Sequence, residues 1–198
     1  MIVSARARAG SPALTPTERL RRAEALDGKV AQIFASRRPA APPPRRPAGL
    51  KGVVLVAPAP PAPVGVTHEF QEALAHAYDN DDTIGRSIDL VLTNGELSAE
   101  ARRQVHEDSS RAGETARMAW PRQALVEDFA DRVGAISVPV LVLAGSDDKV
   151  DPPRILREHL LPLIPTATLA ELGGTGHLSP LEVPDQIASH LGAFIARL

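Results

Sequence analysis

The sequence predicts an α/β protein, a parallel β-sheet with helices packed on its faces. Two runs, "KGVVLVAPAP" and "VPVLVLAG", are continuous and rich in β-branched residues, the pattern of strands covered on both sides. A shorter run, "TATLAEL", follows them. Helical patterns stand between and after these runs. Strand, helix, strand, helix in that order requires crossover connections and hence parallel strands. A length of 198 residues with 43% hydrophobic content suits one domain, or one domain with an inserted cap.

The elements follow in chain order. Residues 1–14 are rich in Ala, Arg, Gly and Ser, lack a period, and are expected to form a disordered leader. Residues 15–63 should hold a helix, a linker and the first buried strand. In "TPTERLRRAEALDG" Thr15 suits the N-cap, Pro16 the first helical position, and Glu18 completes a capping box. The helix can run on through "KVAQIFASRR", which puts Val30, Ile33 and Phe34 on one face. "RRPAAPPPRRPAG" cannot be helix or central strand and reads as an extended linker, with "RRPA" at 37–40 repeated at 45–48.

Residues 64–135 carry successive helical patterns and read as a helical cap. They comprise "HEFQEALAHAY", "DTIGRSIDLVLTN" with a stop at Asn94–Gly95, and "SAEARRQVHEDSSRA" with Ser98 as cap. Trp120 and Pro121 punctuate its end. Residues 136–198 return to the core: strand "VPVLVLAG", helix "PRILREHLLPLIP", strand "TATLAEL" and an amphipathic terminal helix "DQIASHLGAFIARL".

Composition narrows the function. A net charge of −2 gives no general pull toward nucleic acid or an anionic membrane, so neither is an expected partner. The absence of cysteine excludes disulfides, thiol catalysis and cysteine–metal sites. No apolar run approaches the roughly 20 residues that span a bilayer. "MIVSARARAGSPALTP" lacks the apolar stretch of a secretory signal, so a cytoplasmic location is expected.

In open parallel sheets the chemistry lies at the carboxyl ends of the strands. Two polar loops follow two strands here. Asp147, Asp148 and Lys149 come after "VLVLAG", and Gly173 to His177 come after "TLAEL". At one sheet edge a carboxylate and an imidazole can meet. The acid would fix the ring's tautomer and stabilise the imidazolium, leaving the other nitrogen as a general base. His68, His76, His106, His159 and His190 have no glycine-rich setting and no metal-binding spacing, and read as structural.

"VPVLVLAGSDDKVDP", "IPTATLAELGGTGHLSPLEVPDQIASHLGAFI" and, with the proline insert removed, "GKVAQIFASRRPAGLKGVVLVAPAP" resemble the C-terminal half of α/β-hydrolases. The resemblance covers residues 28–198. It implies that Asp148, three after Gly145, is the triad acid and His177 the triad base. It also implies that Asp147 is a turn residue and that residues 64–135 are the helical cap. Trp120 then either lines the pocket beneath that cap or packs as an ordinary apolar residue. Small-molecule substrates with ester-like carbonyls are implied, with no metal, nucleotide or flavin cofactor.

In that family the nucleophile is the serine of a Gly-x-Ser-x-Gly turn. Counting back without gaps from Gly28 puts the five turn positions on Ala23, Glu24, Ala25, Leu26 and Asp27, with Ala25 in the serine's slot. Ser11 precedes a proline, Ser36 lies within the predicted helix, and Ser146 and Ser179 sit in the acid and histidine loops, with Ser179 expected to cap the next helix. None suits a nucleophile.

Residues 1–27 contain no strand-like run longer than "MIV", so the N-terminal strands of the fold are expected to be missing. The strand near 53–57 is then expected to leave an edge open to self-association. The reading is a truncated or frame-disrupted hydrolase, inactive alone. The alternative is a non-catalytic interaction or binding protein derived from the same fold.

Overall fold

A computed structural model of the chain describes residues 2–3 and 49–198. The helix expected at 15–38 with its Thr15 cap, the body of the proline linker, the Ala25 slot, Ser11 and Ser36 lie outside the described residues. The sheet runs in the order β1 (Ile2–Val3), β2 (Val53–Val56), β3 (Val140–Gly145), β4 (Ala167–Leu172). β2, β3 and β4 are parallel, as predicted, in a register that sets Val53 beside Val140 and Gly145 beside Leu172.

β1 is a departure. Ile2 and Val3 pair antiparallel with Leu55 and Val54, where a disordered leader and a bare strand edge were expected. An unpaired edge presents free backbone donors and acceptors, and even two residues of "MIV" satisfy some of them.

β3 is buried at all six positions, because side chains alternate and each face meets its own core. Leu141 and Leu143 join Val54, Val56, Leu172, Ile187 and Phe194 on one face. Val140, Val142 and Ala144 join Val133, Leu156, Leu160 and Ile164 on the other. β2 alternates instead. Val54 and Val56 are buried, while Val53 and Leu55 are half-buried against the second cluster. The continuous apolar run in β2 therefore overstates its cover.

Five α-helices lie between β2 and β3: α1 (His68–Ala75), α2 (Asp81–Ser87), α3 (Ala99–Arg111), α4 (Glu114–Arg122) and α5 (Ala130–Val133). Their starts are encoded locally. Thr67 accepts from Phe70 N, Asn80 and Thr83 form a capping box, and Ser98 Oγ accepts from Ala101 N at 3.1 Å. The helix expected over 82–94 is not continuous. α2 gives way to a π-helical turn, Ile88–Leu92. The Ile88 carbonyl accepts from both Thr93 N (3.1 Å) and Thr93 Oγ1 (2.8 Å), which closes a wider ring and ends the helix just before Asn94–Gly95.

Between β3 and β4 lie α6 (Pro153–His159) and a 3₁₀ turn at Leu161–Leu163. After β4 come α7 (Ser179–Glu182) and α8 (Pro184–Ile195), which covers one face of the sheet. Among the described residues no helix is long and apolar enough to cross a membrane.

Candidate active site

β3 and β4 are parallel neighbours, so the loops after Gly145 and Leu172 leave the same edge of the sheet. They are tied together by backbone. Ser146 N donates to Leu172 O at 2.9 Å and Asp147 N donates to Thr175 O at 3.1 Å. A Cβ on Gly145 would stand 2.4 Å from the carbonyl oxygens of both Thr175 and Gly176. Only a glycine lets the loops approach this closely.

Asp148 and His177 meet. His177 Nδ1 lies 2.9 Å from Asp148 Oδ2. The acid's side chain is fully buried, while that of His177 keeps 25% of its exposure. Asp148 Oδ1 accepts two further bonds, from Val150 N (2.8 Å) and Asp151 N (3.0 Å). Burial alone would push this carboxyl up. The bond to His177, the ring's charge and the two backbone donors outweigh it and hold Asp148 below the usual carboxylate value. An ionised carboxylate can only accept, so Nδ1 donates, and in the neutral ring Nε2 then keeps its lone pair. Among the described residues Asp148 is the ring's one hydrogen-bond partner. The arrangement is an imidazole oriented by a buried carboxylate.

The other expected residues fall as follows. Asp147 lies in the turn. Its carboxylate accepts from Ser146 Oγ at 2.6 Å, and the same hydroxyl accepts from Gly174 N at 2.9 Å, so Ser146 braces the two loops. Ser179 does not cap a helix. It is the first residue of α7, and among the described residues its buried hydroxyl has no partner, nor has that of Thr175. Trp120 is 45% exposed on α4, so it is not packed as an ordinary core residue. Among the described residues no group of side chains is arranged to hold a metal ion. An open depression lined by Ile88, Asp89, Thr93, Asn94, Gly95 and Arg102 lies on the insert and does not include the Asp148–His177 pair.

Two residues near the pair were not singled out from the sequence. Asp151 is buried, and burial pushes its carboxyl up to about 7; His177 draws it down and Asp148 pushes it further up. The signal was present in "DDKVDPP", a third acid three residues after Asp148. Glu182, five residues after His177, turns back onto the histidine loop, where its Oε1 accepts from Gly176 N at 2.9 Å.

A parallel sheet flanked by helices, with acid and histidine on successive strand ends and a helical insert between strands, defines the α/β-hydrolase fold, and this chain has it. Solved structures that resemble it are an esterase from Exiguobacterium antarcticum (TM-score 0.66, 18% identity), a bromoperoxidase from Bacillus anthracis (0.67, 15%) and the enol-lactonase from Burkholderia xenovorans (0.60, 17%). They match 76%, 75% and 77% of this chain, which spans 59%, 59% and 58% of theirs. At such identities the fold is what is shared. No protein-family model matches the chain, and no curated protein matches it by sequence.

Proposed function

We propose that the chain carries the acid–base half of an ester hydrolase. His177 Nε2 takes the proton from an attacking oxygen, Asp148 stabilises the imidazolium that forms, and His177 then returns the proton to the leaving group. The 2.9 Å bond between His177 Nδ1 and a buried, ionised Asp148 carries this reading. The esterases among the similar folds support an ester-like substrate. The attacking serine belongs in the slot that ungapped counting gives to Ala25, and an alanine has no lone pair to attack a carbonyl. The chain alone therefore turns over little or no ester.

A short-chain p-nitrophenyl ester and a fluorophosphonate probe test this on the full chain. Turnover no higher than that of His177→Ala, with no labelled serine after peptide mapping, is expected. Labelling that disappears in His177→Ala would show a complete triad and overturn the inactive state.

A non-catalytic role is the competing reading. The pairing of Ile2–Val3 with β2 favours it, because that pairing covers part of the sheet edge from within the chain. Cooperative unfolding of the recombinant chain would support it, and recovery only as aggregate would sink it.

A further inference from the structure

The histidine loop is fastened to the helical insert as well as to the sheet. Glu182 spends both carboxylate oxygens on backbone donors. Oε1 accepts from Gly176 N, and Oε2 accepts from Asn94 N and Gly95 N, each at 2.9 Å. Leu178 N donates to Leu92 O at 2.9 Å. Both chain neighbours of His177 are thus bonded, directly or through one carboxylate, to the segment that ends the π-helical turn. The packing there is tight: a Cβ on Gly176 would stand 2.9 Å from Thr93 C and 3.0 Å from Asn94 N and Leu92 O. The same turn reaches the acid loop, where Lys149 Nζ donates to Leu90 O at 2.8 Å. Residues 90–95 therefore bridge the two loops that meet at the His177–Asp148 bond.

The choice of glutamate follows from this geometry. Three N–H groups converge on one side chain, and only a carboxylate offers two oxygens that both accept. An amide would turn an NH₂ group toward donors on one side or the other.

We propose that Glu182 is a positioning residue for the base: its carboxylate clamps the helical insert to the His177 loop, so the seating of the insert sets how the imidazole meets Asp148. This rests on the reading of His177 as the base. Glu182 acts through Gly176 and the peptide groups on either side of His177.

The test is NMR on the full-length chain, following the ¹⁵N shifts of the His177 ring together with amide exchange. In the wild type the ring is a single Nδ1–H tautomer. In Glu182→Ala the amides of Asn94, Gly95 and Gly176 exchange about tenfold faster or more, as expected when charge-assisted bonds are lost. The ring also moves toward the tautomer mixture of a free imidazole. Glu182→Gln, which keeps one accepting oxygen, falls between the two and serves if the alanine variant does not fold. Ser98→Ala, which weakens the insert away from the clamp, leaves the ring unchanged.

An unchanged ring tautomer in folded Glu182→Ala overturns the clamp, whatever the amides do. A shift of equal size in Ser98→Ala overturns it too, since any loosening of the insert would then suffice. A wild-type ring already in mixed tautomers sinks the reading of His177 as an oriented base, a failure separable from the first two.

Discussion

The sheet and the helical insert are held by different balances of forces. All six residues of β3 are buried, between two apolar clusters. α3, at thirteen residues the longest helix described, buries none. Beyond a few buried side chains such as Ala75, Ile84 and Ile88, the insert relies on caps and on surface ion pairs such as Arg102–Asp89, Arg111–Glu107 and Arg122–Glu72. Apolar burial contributes roughly 25 cal/mol per Å², so a few core side chains are worth several kcal/mol, whereas an exposed ion pair contributes about 0–1 kcal/mol. One region is held mainly by burial and the other mainly by local and surface bonds. The Asp148–His177 pair stands at the sheet's edge, where the insert is bonded to the histidine loop.

The sharpest way to break this contrast is to place the same small change in each region. Gly145→Ala puts a methyl 2.4 Å from two backbone carbonyls, which cannot move without parting the acid and histidine loops. A loss of about 3 kcal/mol or more in urea unfolding is expected. Gly113→Ala, in the insert, meets open space at a φ of −64° and should shift stability by less than about 1 kcal/mol. Equal losses at the two sites would erase the distinction.

Asp151 gives an intermediate effect, readable through pH. Its carboxyl titrates near the ordinary value of 3.8 when unfolded and near 7 when folded. Between those values the folded chain holds a proton that the unfolded chain has released. Stability therefore falls as pH rises from about 4 to about 7, and levels off above. Asp151→Asn removes that slope. It should match the wild type near pH 4 and exceed it by about 4 kcal/mol at pH 8. Denaturant midpoints across that range decide the matter, and an identical slope in the variant would contradict a buried proton on Asp151.

Among the changes that remove an interaction, Ser98→Ala should have the smallest effect. Loss of the N-cap bond to Ala101 N costs about 1 kcal/mol. If α3 is as weakly coupled to the sheet as its lack of burial implies, hydrogen exchange quickens in α3 while β3 stays protected. Faster exchange in both would mean that the insert and the sheet open as one unit.

Much of this division was legible residue by residue. "VPVLVLAG" announced a strand covered on both faces, and β3 is one. The polar loops after the two strands, and the family resemblance that singled out Asp148 in one and His177 in the other, pointed to two side chains that do meet. Other features escaped because their cause is not local. β2 has the same apolar run as β3 but lies nearer the sheet edge, so half its residues are only partly covered. The pattern over 82–94 is helical throughout, and nothing in its period marks the π-helical turn that Thr93 closes. Ser179 looked like a cap by its position before "PLE", yet its hydroxyl is buried and, among the described residues, unbonded.

The chain's own order of apolar runs, caps and polar loops determined the parallel sheet, the helical insert and the two loops that carry Asp148 and His177. Each depends on periodicity or on a neighbour a few residues away, and such interactions are written in consecutive residues. The burial of Asp151 and the clamp at Glu182 were decided only by the tertiary structure. Glu182 reaches Asn94 across 88 positions of sequence, and whether a carboxylate is ionised, buried or bonded depends on which distant backbone folds against it.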